Sequence, residues 1–411
     1  MQFPAPSETF ASNDVRWLRE CGLTVSVHAM REPHAFAKDL IAERRLRGVE
    51  ITHNSLAATS AGLATALRRP LRLVSAIGWL VRHNHRRPDQ LARSLLLLPR
   101  AFGILDRIRR ERPDVVHVYW AHYPAIVGHL VQRYLPDVAT SISFVAYDLE
   151  MEYGGGMDVA RNADTVRTLA ETNVGHVASL AGIERSRVEI VYDGVDVEKL
   201  EAIVAGRRKV PGRMVTVGRL TEAKGMYEAI DVLARVRRKW PTATLRVLGD
   251  GPEAAGLKAR AAALGVDGAV EFLGHVSHER VVEELAEAEV FLLLTKASGE
   301  RLPNVVKEGM ACRCVCVTTP TPGIEELVVD GVNGFVVPAG DVHNAVEIVQ
   351  RVLSGQVETQ SLIDAAHRQV VSNFDLDASG ARYLELWRRA VRRRRGTSHE
   401  LPESQQSLAT S

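Results

Sequence analysis

Gly299-Glu300-Arg301-Leu302-Pro303-Asn304-Val305-Val306-Lys307-Glu308-Gly309-Met310 is the stretch on which the reading of this chain turns. The apolar run 290–294 before it has the length and composition of a buried parallel strand. Pro303 suits a first helical position and good helix formers follow, so the local pattern is strand, short loop, helix. Glu300 then falls in the loop and Glu308 on the second helical turn. Between them lie backbone N–H groups without helical acceptors, at the positive end of a helix dipole. That is an anion site with a carboxylate on either side. A sugar nucleotide meets this demand, its phosphates taking the N–H groups and its ribose and sugar hydroxyls the carboxylates. Two glutamates at this spacing also occur on an exposed loop and a solvated helix face, so the rest of the chain has to decide.

At 411 residues there is room for two domains with large cores. Hydrophobic content of 46% and charged content of 25% are those of a soluble globular protein. A net charge of only +2 gives no reason to expect a nucleic-acid partner. Four cysteines are too few for a disulfide scaffold. Cys312, Cys314 and Cys316 alternate along a strand and read as small buried hydrophobes in a reducing compartment rather than as metal ligands. No apolar run is long enough for a membrane span, and the opening MQFPAPSETF has no signal-peptide core, so a cytoplasmic location is expected.

The second half alternates regularly. Strands are expected at 214–217, 244–248, 270–273, 290–294, 315–318 and 335–337, with helical stretches between them. This is the pattern of a doubly wound parallel sheet, which binds ligands at the carboxyl ends of its strands. The first half has strands at 23–29, 49–52, 115–120, 140–146, 163–169 and 188–192. Its start, Phe3-Pro4-Ala5-Pro6-Ser7-Glu8-Thr9-Phe10, reads as the loop after a first strand, so either that strand is absent or the start lies further upstream. The glycine run 154–156 reads as a mobile loop or a plain linker. The expected organisation is an acceptor-side domain over 1–200, a polar boundary at 202–212, and a nucleotide-sugar-binding domain over 210–372. A last helix over 373–395 crosses back to the first domain, and the tail 396–411 is disordered. Asp375 and Asp377 stand before that helix, where aspartate is expected as a cap.

Residues 60–112 depart from the alternation. They hold twelve arginines (68, 69, 72, 82, 86, 87, 93, 100, 107, 109, 110 and 112) against Asp89, Asp106 and Glu111, a local excess of nine positive charges. Leu71, Val74, Ile77, Trp79, Leu80 and the run 95–98 are interleaved. A basic amphipathic segment of this kind lies on an anionic membrane surface, or else forms a pair of ordinary helices covering the sheet with their arginines in water.

After the first strand of the second half comes Gly218-Arg219-Leu220-Thr221-Glu222-Ala223-Lys224-Gly225. Gly218 ends the strand, and Arg219 and Lys224 project from the loop at the carboxyl edge. A guanidinium and an ammonium there suit a diphosphate. With Gly249-Asp250-Gly251-Pro252, Phe272-Leu273-Gly274, the Glu300/Glu308 pair and Gly331-x-Asn333-Gly334, this order resembles the family 4 retaining glycosyltransferases. The likeness extends to Phe3–Phe10, Trp120-Ala-His-Tyr-Pro124, Ala146-Tyr-Asp-Leu149 and Val191-Tyr-Asp-Gly-Val-Asp196. It implies a GT-B fold, with two Rossmann-like domains and an interdomain cleft, and a sugar transferred from a nucleotide-sugar donor to a polysaccharide or lipid-linked acceptor, work that the basic stretch 60–112 would place at the inner membrane face.

Carried over residue by residue, the resemblance gives Arg219 and Lys224 the donor diphosphate, Glu308 the ribose and Glu300 the transferred sugar. Gly218 and the N–H groups of Leu302, Asn304 and Val305 complete the anion site, and Ser7, Glu8, His122 and Asp148 lie on the acceptor side. It implies no metal and no further cofactor. Three positions depart from the pattern. Val145 stands where many relatives carry a histidine, a role then left vacant or taken by Asp148, His122 or His117. Asp193 replaces the linker asparagine. Arg313 follows a helix where relatives tend to have glycine, at a cost of about 1 kcal/mol at most. Rival readings are an epimerase or phosphorylase on the same fold, and a catalytically impaired sugar-nucleotide-binding protein. An NAD-dependent oxidoreductase is disfavoured, because no Gly-x-Gly-x-x-Gly follows an opening strand.

Overall fold

The computed structural model describes residues 2–5, 8–296 and 301–396. The described residues form two compact units, one from those among 1–169, 173–191 and 380–411, the other from those among 170–172 and 192–379. The first 190 residues carry strands β1 (Ser26–His28), β2 (Glu50–Thr52), β3 (Val115–Val118), β4 (Ala139–Phe144), β5 (Thr165–Thr168) and β6 (Val188–Ile190). Their helices are α1 (Thr9–Glu20), α2 (Ala37–Glu43), α3 (Leu56–Leu67), α4 (Pro70–Asn84), α5 (Pro88–Glu111), α6 (Ala125–Tyr134), α7 (Ala146–Met151), α8 (Gly154–Asn162) and α9 (Glu171–Ala181). Further on come β7 (Val210–Val217), β8 (Thr244–Leu248), β9 (Val270–Gly274), β10 (Ala288–Leu293), β11 (Val315–Thr318) and β12 (Phe335–Val336). The accompanying helices are α10 (Val197–Val204), α11 (Met226–Val236), α12 (Ala254–Ala263), α13 (His278–Glu287), α14 (Asn304–Ala311), α15 (Val342–Leu353), α16 (Thr359–Asn373) and α17 (Leu376–Arg395).

In the second unit the six strands are all parallel, in the order β12-β11-β10-β7-β8-β9. Successive side chains of a strand point to opposite faces, and each face has its own core. Met214, Leu245, Leu292 and Val317 pack with Ile230, Leu257 and Val349 on one side. Val215, Leu248, Phe291 and Cys316 pack with Leu285, Val306 and Met310 on the other. Cys312, Cys314 and Cys316 are buried in this second core, and burial pushes all three thiols up. The strand order reverses between β7 and β10, the two neighbours whose following loops carry the expected anion-binding residues.

In the first unit β1 and β2 form a parallel pair, and β3-β4-β5-β6 form a separate parallel sheet in sequence order. Both β1 and β3 have a single hydrogen-bonded neighbour. The chain changes unit at 191/192, ahead of the polar stretch 202–212 that marks the boundary in the sequence. The reason is α10, whose Val197 and Leu200 belong to the second unit's core. Asp375 lies just before α17, where its Oδ2 accepts the Asp377 N–H at 3.1 Å, a capping bond. From Gly380 onward α17 belongs to the first unit, packing Tyr383 and Leu386 on Val191.

Two local readings change. The basic region holds three helices, α3, α4 and α5, rather than two. Gly154-Gly155-Gly156 is neither loop nor linker but the first turn of α8. A Cβ at Gly154 would stand 2.1 Å from the His83 carbonyl oxygen and one at Gly156 1.7 Å from that of Ala121, so close backbone packing explains the run.

Candidate functional site

The loop expected to bind an anion is built at the reversal of strand order in the second unit. Gly218, at φ 157°, ends β7, and Gly225, at φ 70°, begins α11 after a short 3-10 turn over 222–224. Arg219 between them is exposed and Lys224 half-buried. The loop is tied sideways to the end of β10. The Ala223 carbonyl accepts both the Thr295 hydroxyl and the Lys296 N–H, each at 2.8 Å. A Cβ at Gly225 would lie 1.9 Å from the Leu294 carbonyl oxygen, so only glycine lets the strands' exits come this close. The loop after β8 joins them, its Gly249 Cβ position being 1.9 Å from the Gly218 carbonyl oxygen.

Helix α14 opens on the same edge. Pro303 is its cap rather than its first helical residue. Leu302, buried, adopts the left-handed region at φ 45°, where a branched side chain carries strain. Among the described residues, the N–H groups of Leu302, Asn304 and Val305 have no acceptor, the condition the sequence reading set. Glu300 lies outside the described residues, as does Ser7 of the acceptor-side group.

Glu308 is buried on the second turn of α14, and its Oε1 lies 2.9 Å from Nε2 of His278, the first residue of α13. Lys307 beside it is also buried. Its Nζ donates to the Asp193 carbonyl at 2.8 Å and to Asn304 Oδ1 at 2.9 Å, and sits 5.0 Å from the Phe374 ring centre. Neither His278 nor Lys307 is singled out by the sequence. The Asp193 contact goes through its main chain, so the change from asparagine leaves that bond available.

In the first unit two of the acceptor-side residues meet. His122 follows β3 and Asp148 lies on α7 after β4, so adjacent parallel strands deliver both to one edge. His122 Nδ1 lies 2.6 Å from Asp148 Oδ1, both side chains are buried, and Asp148 Oδ2 also accepts the Val145 N–H at 3.0 Å. A carboxylate thus fixes the imidazole's orientation. Glu8 stands just before α1 without a side-chain capping bond, and burial pushes its carboxyl up against the opposing fields of Arg44 and His122. His117 sits half-buried on β3 instead, among the rings of Tyr119, Tyr383 and Trp387. It lies between the hydroxyls of Ser141 (2.9 Å) and Ser143 (3.2 Å), and burial, helped by Arg167, pushes its imidazole down to about 3.

Residues 202–369 match the family described as glycosyl transferases group 1. The glycogen synthase of Mycobacterium tuberculosis is 27% identical over 312 residues, 73% of this chain and 74% of that protein. The amylovoran biosynthesis glycosyltransferase AmsK of Erwinia amylovora is 24% identical over 95% of this chain and 98% of its own. Among solved structures, HepE of Anabaena in complex with UDP superposes with a TM-score of 0.68 at 17% identity, over 93% of this chain and 97% of that one. With residues 202–369 matching the group 1 glycosyl transferases and the whole chain superposing on HepE, this protein is a glycosyltransferase of GT-B fold.

Proposed function

We propose that this enzyme is a retaining glycosyltransferase of the family 4 type, moving a sugar from a nucleotide-sugar donor to a saccharide or lipid-linked acceptor in polysaccharide synthesis. The observation that carries the donor assignment is the joining, through the Ala223 carbonyl, of the Arg219/Lys224 loop to the exit of β10. It puts two cations on the strand edge from which the unpaired N–H groups of α14 also open. In the reaction the bond between the anomeric carbon and the phosphate oxygen breaks, and a bond to the acceptor oxygen forms. The acceptor proton goes to the leaving phosphate. Negative charge grows on the diphosphate, where Arg219, Lys224 and the Leu302, Asn304 and Val305 N–H groups stabilise it, and this reading assigns no metal. Glu308, held by His278, takes the ribose, and Glu300 takes the sugar. The His122–Asp148 pair serves the acceptor side from the first unit.

AmsK is named as a glycosyltransferase of amylovoran biosynthesis and HepE is seen with UDP, which supports a glycosyl-transfer reaction and the kind of donor. The test is a thermal-shift screen of UDP-, GDP- and ADP-sugars on the full chain. A ligand at a hundred times its dissociation constant adds about 2.7 kcal/mol of stability. The best donor is then incubated with and without saccharide acceptors, and the anomeric configuration of the product is read by NMR. An inverted product would rule out the retaining assignment. Epimerised donor formed without acceptor would favour the epimerase reading, and no shift with any donor would overturn the site.

A further inference from the structure

Large apolar side chains exposed to solvent are unevenly spread. Of the fifteen among the described residues, nine lie between residues 56 and 96, about a tenth of the chain. They fall on successive helices that pack on one another, α3, α4 and α5. Leu56, Leu63 and Leu67 recur at seven and four residues and so share one side of α3; Leu71, Val74 and Val81 share one side of α4. Leu71 is 85% exposed, Val74 67% and Leu96 78%. Nothing in α3 is charged.

The polar residues of the same segment are almost all of one sign. Residues 56–96 contain seven arginines and one acid, Asp89. Arg68, Arg82, Arg86 and Arg87 are exposed, and among the described residues none has a carboxylate partner. The arginines further along differ. Arg100 is buried and donates to the Ala29 and Thr52 carbonyls. Arg107 is paired with Glu50 and Glu111, and Arg109 and Arg110 with Asp106. Trp79 and Leu80, which the sequence reading puts on the apolar outer side, are buried, Trp79 stacking on His129 and donating to Asp158 at 2.8 Å. The basic apolar surface is therefore 56–96, starting earlier and ending sooner than the sequence excess of charge.

Exposed leucines and valines beside unpaired arginines match a surface that offers both hydrocarbon and negative charge. No described helix is long and apolar enough to cross a membrane, so a segment of this kind lies in the interface rather than spanning it. We infer that α3, α4 and the start of α5 form a docking face for an anionic bilayer, with the leucine side entering the acyl boundary and Arg68, Arg82, Arg86 and Arg87 on lipid phosphates. This inference does not rest on the donor-site reading, and each survives failure of the other.

The full chain is co-sedimented with vesicles of phosphatidylcholine alone and of phosphatidylcholine with 30% phosphatidylglycerol. Each arginine near an anionic surface is worth about fivefold in partition. Wild type is expected on the anionic vesicles, released as salt rises, and the double variant R86Q/R87Q to bind them more than about tenfold more weakly. The double variant L71E/V74E, changed only at exposed positions, is expected to lose binding while keeping its unfolding midpoint. Val371→Glu, at an exposed valine of α16, is expected to bind as wild type does. Absence of binding to anionic vesicles at low salt would overturn the inference, as would undiminished binding of L71E/V74E. A dimer in sedimentation velocity that L71E/V74E dissociates, without vesicle binding, would assign the face to a second copy of the chain and overturn it equally.

Discussion

Gly225→Ala tests whether the junction of the β7 and β10 exits is what places Lys224. The added Cβ would stand 1.9 Å from the Leu294 carbonyl oxygen, where real Cβ atoms keep beyond 3.0 Å, so the loop must lift by about 1 Å. The lift breaks the bonds from the Thr295 hydroxyl and the Lys296 N–H to the Ala223 carbonyl, each worth about 1 kcal/mol. The left-handed backbone adds about 1 kcal/mol, for a loss near 3 kcal/mol in all. Gly265→Ala is the control. Its φ of 67° is nearly the same, but no atom lies within 4 Å of its Cβ position, so it should lose only the backbone portion, about 1 kcal/mol. In a unit of this size each kcal/mol moves the unfolding midpoint by about 2–4 °C. A misplacement of about 1 Å in a charged positioning group costs about a hundredfold in turnover. Gly225→Ala should therefore melt lower than Gly265→Ala and turn over about a hundredfold more slowly, while Gly265→Ala stays within about twofold of wild type. Equal melting losses together with equal turnover in the two variants would refute the reasoning.

Lys224→Ala and Arg219→Ala should each lower turnover by about a hundredfold or more, since each removes charge from the leaving diphosphate; full turnover in both would remove the site. Acid should weaken the first unit. His117 titrates near 3 in the fold and His129 near 4, against 6.5 for the free group. The unfolded chain therefore takes up protons first, and stability present above 6.5 falls as the pH drops towards 4, by about 1.4 kcal/mol per pH unit for each histidine. H117N should flatten the midpoint-versus-pH curve in that window, and an unchanged slope would show that His117 is not held neutral. Arg313 sits at φ 61°, and its ion pair with Asp364 is half exposed and worth little. Arg313→Gly should raise the second unit's stability by about 0.5 kcal/mol, read as a higher unfolding midpoint; a drop would mean that the ion pair outweighs the backbone strain.

The second unit was readable because its signals are local. Apolar runs of strand length, separated by glycine turns and helix-length segments, give the alternation, and the reversal of order at β7 and β10 puts the two motifs expected to bind an anion side by side. The first unit was less readable for a physical reason. Its residues 60–112 form helices whose charge count looks uniform, yet what divides the arginines is Glu50 from β2 and the carbonyls of Ala29 and Thr52, all from elsewhere in the chain, together with Asp106 and Glu111 gathered at the end of α5. Gly154–Gly156 misled in the same way, because what requires glycine there is the backbone of His83 and Ala121, not a turn.

The same distinction runs through the proposed donor site. Gly218, Leu302, Asn304 and Val305 are proposed to act through their main chain, which local sequence fixes through the strand end and the helix start. His278 and Lys307 matter for side chains that reach across the fold. His278 opens α13, which packs on α14 over one face of the sheet, and only that packing brings its ring to Glu308. Lys307 is charged and almost fully buried, which no periodicity argument allows; it is tolerable because a carbonyl, an amide oxygen and an aromatic ring surround the ammonium. A lysine so held ties Asp193, just after the chain enters the second unit, to the first turn of α14. The side chain that the sequence pattern would send to solvent is thus spent inside, fixing the helix whose N–H groups are proposed to meet the anion.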